Sequence, residues 1–288
     1  MQIITDRGAD LAPSQMQGLN IHFVPLLITL QGKTYRSNVD ITSDEFYRML
    51  GETDQFPSTA QPSIGDIAEL MRTLAKDDPD ILVFSISSGL SGTSNAFRLA
   101  ADQVPEANIT FFDTLCLSGE QGWQVEAAAR AINAGWTLDQ IKTLVEKVRV
   151  ASDAHFTLGS LRYLVHGGRV SHMKGMLASI LNIRPIIGVN KETGKYEQLA
   201  QARTAKASYA KMADLVADQH GTGTKLRTQI FHAANPEGVE QLKAAMNARF
   251  ECNWGETAPV APVLGAHTGP SMVALFYGPQ AVYDEIPK

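Results

Sequence analysis

The chain has 288 residues, 44% of them hydrophobic and 19% charged, with a formal net charge of −5 at pH 7 and a pI near 5.8. That length suits two domains or one large one with real cores. The acidic balance and the lack of a basic run exclude nucleic acid as the main partner, since phosphate binding draws on clustered Lys and Arg.

The first residues carry no basic and apolar leader, and no uncharged apolar run approaches the roughly 18 residues of a membrane span. A cytoplasmic location is expected, with at most transient membrane contact. The cysteines, Cys116 and Cys252, lie far apart without C-x-x-C spacing, which predicts buried thiols rather than a disulfide or a zinc site. His155, His166 and His172 show no H-E-x-x-H spacing, so no metal and no cofactor are expected.

In chain order, Gln2 to Thr5 reads as a first strand ending at Asp6, and Ile21 to Leu30 as an apolar run interrupted by Pro25. Asp6 sits where ligands gather in open α/β sheets, although loop structure alone would also place it there. Thr42 and Glu45 form a capping box for a helix through Leu50. The segment Phe56 to Ser63 is made rigid by two prolines and stands before a helix beginning at Ile64.

Next, Ile81 to Phe84 reads as a buried strand, followed by the polar loop Ser87-Ser88-Gly89-Leu90-Ser91-Gly92-Thr93-Ser94 and a helical pattern through Phe97 and Val104. A helix N-terminus with unpaired N–H groups, hydroxyls and backbone opened by Gly89 and Gly92 attracts an anion. No Walker loop and no G-x-G-x-x-G occurs, so a triphosphate is disfavoured, and an anion site and a simple helix-capping turn both stay open. Thr59 is expected to converge with Ser91 on one anion if their strand ends are neighbours.

Ile109 to Phe112 is a further strand, Ser118 to Ala134 a helix closed by Gly135, and Thr137 with Gln140 a second capping box. Alternating strands and helices to this point predict a parallel sheet covered on both faces. Beyond Val150 the pattern becomes α+β. Arg184 to Asn190 and Lys195 to Ala202 flank a hairpin turn, later strands lie near Arg227 to Ala233 and Met272 to Tyr277, and Asn235-Pro236 caps a helix. Arg169, after Gly167-Gly168, offers a planar fork of donors for a carboxylate or phosphate. Gly265 to Pro270 reads as a Gly-rich loop carrying His267 and Thr268.

These segments together resemble the DegV family of bacterial lipid-binding proteins. The matches run in order: Thr5-Asp6 with Asp10-Leu11; Val39 to Thr42; Thr59 with Gln61-Pro62-Ser63; Ser87 to Thr93; Gly167 to Ser171; Leu181 to Pro185; and Gly265 to Pro270. The resemblance implies a two-domain α/β fold. Residues 1–150 would form an N-terminal three-layer α/β/α domain with a parallel sheet, and 151–288 a C-terminal two-layer α+β domain with a mixed or antiparallel sheet.

It also implies a long-chain fatty acid held between the domains, its carboxylate bound by Thr59, Ser91 and Gly92, with Arg169 and His267 completing the head-group network. In that family the protein has no turnover of its own. It presents the fatty acid to a separate ATP-dependent fatty acid kinase, and the acyl phosphate feeds phospholipid synthesis. The stretch Met173, Met176, Leu177, Ile180 and Leu181 suits either a tail tunnel or ordinary core packing. Arg7 and Ala60 stand where the family usually has hydroxyl residues.

Two competing readings remain. A serine hydrolase would use Ser91 as nucleophile with Asp113 and His267, although Thr93 occupies the second glycine position of the G-x-S-x-G elbow. A kinase subunit holding a small hydroxy-ketone, as in the dihydroxyacetone kinases, would take a short polar ligand.

Overall fold

The computed structural model describes residues 1–170 and 183–288. Strand β1 (Gln2–Asp6) is central to a four-stranded sheet with β2 (Ile21–Val24), β6 (Asp80–Ser85) and β7 (Asn108–Asp113), in the order β2-β1-β6-β7. All its pairings are parallel, and Ile81, Leu82, Val83 and Phe84 are almost fully buried, as a strand covered on both faces requires. Helices Ile64–Ala75 and Thr93–Ala101 cover one face through Ile67, Met71, Phe97 and Ala100. Helices Ser118–Asn133 and Leu138–Ala151 pack on the opposite side.

Pro25 does more than interrupt an apolar run: the chain leaves the first sheet there and enters another. Strands β3 (Leu27–Leu30), β4 (Lys33–Arg36) and β5 (Ser58–Ala60) form a separate three-stranded antiparallel sheet, ordered β4-β3-β5. The single run expected from Ile21 to Leu30 is therefore two strands in two sheets, because proline cannot donate to a ladder. Both expected capping boxes are present, at Thr42 with Glu45 and at Thr137 with Gln140.

The second sheet is built from β8 (Asp153–Thr157), β9 (Arg184–Val189), β10 (Tyr196–Ala202), β11 (Lys225–His232), β12 (Glu251–Trp254) and β14 (Val273–Pro279). Their order is β10-β9-β8-β14-β11-β12, with β13 (Ala258–Pro259) pairing β11. It is mixed: β11 pairs parallel to β12 and antiparallel to β14. Helices Ala205–His220 and Pro236–Asn247 cover its outer face through Tyr209, Met212, Val239 and Leu242. Its inner face, with Ala154, Phe156, Ala274 and Phe276, shares one hydrophobic cluster with the first sheet's helices.

Helix Ser118–Asn133 thus lies between the two sheets, and every residue from Ser118 to Ala129 is buried. Gly119 and Gly122 permit this. A Cβ on Gly119 would stand 2.7 Å from the Phe276 ring, and one on Gly122 2.2 Å from the Asp10 carbonyl oxygen. Its buried polar side chains find partners: Gln121 donates to Thr5 Oγ1, Trp123 Nε1 to Gln229, and Gln124 to the Thr114 carbonyl.

Glu120 Oε2 and Gln121 Oε1 stay unpartnered among the described residues, and of the two only Glu120 can titrate. Burial, reinforced by the Asp153 charge and opposed by Lys191, pushes its pKa from 4.5 up to about 8. The folded protein therefore holds a proton that the unfolded chain releases, and this contribution to stability is full below pH 4.5 and lost as pH rises through 8. Glu120→Gln, an isostere of the protonated form, is expected to gain at least about 1.4 kcal/mol on the wild type between pH 5 and pH 8.5. Urea melts at the two pH values measure this, and an equal difference at both would refute it.

Among the described residues, no helix is long and apolar enough to cross a membrane.

Candidate functional site

The three sheets meet at a cleft of about 140 Å³ lined by Thr59, Ser91, Gly92, Arg169 and His267. All five residues singled out from the sequence are thus brought together, although they come from distant parts of the chain.

Thr59 lies on β5 rather than in a loop before the next helix. It pairs with Ile28, which is fully buried, so the two side chains point from one face of the small sheet. Thr59 Oγ1 is 2.9 Å from His267 Nε2. His267 is on the last turn of helix Pro262–Thr268, so the expected Gly-rich loop is a helix up to Thr268 and breaks only at Gly269, with φ +68°. Pro262 at the first helical position and three buried apolar residues after it favour the helix despite the internal Gly265. Gly265 itself accommodates Tyr47, whose hydroxyl would be 2.4 Å from a Cβ there.

His267 Nδ1 has no hydrogen-bond partner among the described residues. Burial, with the Arg169 and His166 charges, pushes the pKa of the imidazole down to about 4, so it is neutral at pH 7. It lies against Gly167, where a Cβ would be 2.2 Å from Nδ1, and this close approach explains one glycine of the Gly-Gly pair. Gly168 supplies the other need, a φ of +72°. Arg169 Nη1 donates to the Gly167 carbonyl at 2.6 Å, which holds the guanidinium beside the cleft.

The polar loop divides its labour. Gly92 is the N-cap of helix Thr93–Ala101 and provides no side-chain cap, and of the first-turn donors the Thr93 N–H reaches Ser91 Oγ at 3.3 Å. A Cβ on Gly92 would stand 2.6 Å from Gln61 Oε1, so the glycine also admits Gln61 to the cleft wall. Ser91 Oγ is 2.8 Å from Thr93 Oγ1. Ser87 and Gly89 instead receive the β9–β10 hairpin: Ser87 Oγ donates to the Gly194 carbonyl at 2.7 Å.

Asp6 is structural. Its carboxylate accepts from the Gly8 and Ile86 N–H groups, each at 2.7 Å, and ties the end of β1 to the segment after β6. Arg7 does not line the cleft; its guanidinium carbon is 3.9 Å from the centre of the Phe23 ring. Ala60 does line it.

A second, apolar chamber, narrow at about 30 Å³, adjoins the first and shares Leu117, Tyr196 and Leu264 with it. Phe156, Ala274, Phe276 and Met272 supply further wall, and only apolar atoms are exposed inside. The sequence pattern carried no signal for these residues, because each reads as ordinary core. The stretch Met173 to Leu181, a candidate tunnel wall, lies outside the described residues.

The arrangement does not support the hydrolase reading. His267 Nε2 is engaged by Thr59, and Ser91 Oγ by Thr93. The Asp113 carboxylate accepts from the Ser88 and Leu115 backbone N–H groups instead of orienting a histidine. Among the described residues, the cleft offers a set of hydroxyls, a helix N-terminus and the Arg169 guanidinium at the mouth of a carbon-lined space.

Comparison with known proteins agrees with this architecture. A DegV domain-containing protein of Staphylococcus aureus is 32% identical over 273 residues, covering 95% of this chain and 96% of its own. A fatty-acid-binding DegV family protein of Thermus thermophilus superposes with a TM-score of 0.87 at 26% identity, covering 96% of this chain and 99% of its own. A DegV lipid-binding protein of Thermotoga maritima gives 0.85 at 26% identity, with 96% and 97% covered. The family described as "Uncharacterised protein, DegV family" matches residues 1–280, and the chain belongs to the DegV family.

Proposed function

We propose that the protein binds a long-chain fatty acid and presents its carboxylate to a separate ATP-dependent fatty acid kinase, which forms the acyl phosphate. The carboxylate sits at Thr59, Ser91, Gly92, Arg169 and His267, and the tail enters the apolar chamber. The site then lies between an N-terminal domain, residues 1–150, and a C-terminal domain, residues 151–288. The protein contributes binding and orientation, and the chemistry belongs to the partner.

The observation that carries this reading is the pairing of chambers: hydroxyls, helix-end donors and Arg169 at one end, carbon alone at the other, with three shared wall residues. A carboxylate leaves water only where it is hydrogen-bonded or paired. Each buried methylene then adds up to about 0.8 kcal/mol, which favours a long tail over a short polar ligand. The fatty-acid-binding relative of Thermus thermophilus supports the ligand class. The kinase partnership rests on the family resemblance and on the open groove from Ser88 to Gly92 that Gly168 and Arg169 border, where a second protein can reach the head group.

Native mass spectrometry of the purified protein, followed by denaturation and identification of the released molecule, tests the ligand class. Co-purified or added fatty acid should appear bound. A protein that stays empty with added fatty acid, or carries a short polar molecule, would rule the proposal out.

Arg169→Ala separates the two roles of the cleft. If Arg169 serves the carboxylate, the substitution weakens binding by about 10-fold or more; if it serves the partner, binding is kept and kinase-coupled turnover falls. Loss of neither would remove Arg169 from the site.

A further inference from the structure

Among the described residues, Tyr196 is the one second-sheet strand residue that walls both chambers. Its position is set by the hairpin before it. Asn190 Oδ1 accepts from the Glu192 and Thr193 N–H groups at 3.1 and 3.0 Å, folding the turn, and Gly194 completes it with φ +62°. The turn docks on the head-group loop through the Ser87 to Gly194 hydrogen bond. Gly89 makes that contact possible, since a Cβ there would lie 2.5 Å from the Thr193 carbonyl oxygen and 2.8 Å from that of Gly194. Two residues later, Tyr196 pairs with Val189 and its ring meets Phe156 edge-on, with centroids 5.4 Å apart.

The side chain is therefore held at the junction from three directions. Its ring walls the tail chamber, where only apolar atoms are exposed, and the same side chain lines the head-group cleft, where the Arg169 charge acts on its hydroxyl. Several of the polar groups there already have partners inside the protein: Thr59 with His267, Ser91 with Thr93, and Arg169 with the Gly167 carbonyl, while His267 Nδ1 has none among the described residues. The Tyr196 hydroxyl has none among the described residues, in a side chain only 8% exposed. A phenol on the wall of a largely apolar site favours an acceptor there. Burial raises its pKa further, offset in part by the Arg169 charge, so it remains a donor at any physiological pH.

We infer that Tyr196 is a further ligand-binding residue, whose phenol donates a hydrogen bond to the carboxylate of the bound acid where the head group meets the tail. The inference rests on the proposed fatty-acid site and adds a donor from the second sheet to it. Tyr196 then makes acid binding depend on the docked hairpin, because displacing the turn from Ser87 and Gly89 removes the donor.

The test compares wild type with Tyr196→Phe, which keeps the ring, its contact with Phe156 and the chamber wall. Affinities are measured for hexadecanoic acid and for hexadecan-1-ol, and the carboxyl of 1-¹³C-hexadecanoic acid is titrated by NMR in each complex. Loss of a hydrogen bond to a charged acceptor should weaken acid binding by about 10- to 100-fold, leave the alcohol within about threefold, and raise the bound carboxyl's pKa. Equal losses for acid and alcohol would make Tyr196 a packing residue only and overturn the inference, as would an unchanged carboxyl titration. A wild-type protein that takes up the alcohol and not the acid would overturn the fatty-acid reading itself, whatever Tyr196→Phe does.

Discussion

Replacing Thr59 and Ser91 together by alanine is expected to weaken fatty-acid binding by at least about 100-fold while the protein stays folded. In the proposed site each hydroxyl donates to the carboxylate, and a hydrogen bond to a charged group contributes about 1.5–3 kcal/mol. Two such losses amount to about 3–6 kcal/mol, or two to four powers of ten in Kd. The fold is spared because neither side chain holds elements together beyond the cleft: Thr59 contacts His267, and Ser91 contacts its neighbour Thr93.

The structural costs fall on His267, which loses its Nε2 partner with Nδ1 already unpartnered among the described residues, and on buried Thr93, whose Oγ1 and N–H lose Ser91 Oγ. Each orphaned group costs about 1–3 kcal/mol of stability, so a thermal melt must accompany the titration. Thr59→Ser, which retains the oxygen, should restore most of the affinity in the single-site comparison. A folded double variant with wild-type Kd would show that the carboxylate is held elsewhere.

Much of this cleft was legible in the sequence because its parts announce themselves locally. A strand running into Ser87 to Thr93 and a helix is visible as a change of period, and the unpaired donors of a helix N-terminus follow from geometry. Convergence was not legible: Thr59 reaches Ser91 through the small sheet β4-β3-β5, whose existence depends on Pro25 ending one strand and releasing the next. The loop reading of His267 failed for a related reason, since Gly265 and Gly269 look like punctuation until Tyr47 is seen to require the first. Tyr196 and the walls of the apolar chamber gave no local sign, because a residue that lines a ligand space and one that fills a core obey the same pattern.

The second large effect is expected far from the head group, at Glu126. This carboxylate, only 7% exposed, accepts from Arg130 at one oxygen and from Gln15 and Arg227 at the other. Burial pushes its pKa up, but the Arg227 charge with the Gln15 and Arg227 hydrogen bonds outweighs it, and the net shift is downward. Such a group stabilises the fold above its unfolded pKa near 4.5, and that contribution is lost as pH falls through the lower folded value.

Glu126→Ala leaves Arg227, 18% exposed and stacked 4.5 Å from the Trp123 ring centre, without its main partner. An uncompensated buried cation of this kind costs about 3–5 kcal/mol. Replacing the pair together, as Glu126→Leu with Arg227→Met, should cost less than Glu126→Ala alone, because the penalty lies in the orphaned charge rather than in the lost attraction. Denaturant melts of the three proteins decide this, and a Glu126→Ala variant within about 1 kcal/mol of wild type would refute it.

The consequence reaches the cleft. Arg227 is on β11, Glu126 and Trp123 are on the helix between the sheets, and Trp123 Nε1 donates to Gln229 of β11 at 2.7 Å. This network fixes the spacing of the two sheets, and the apolar chamber is the gap that the spacing leaves between Leu117 and Phe276. Glu126→Ala should therefore weaken binding of long acyl chains more than short ones, with the head-group contacts untouched. An equal loss at all chain lengths would mean that the sheets stay in place and only global stability has fallen.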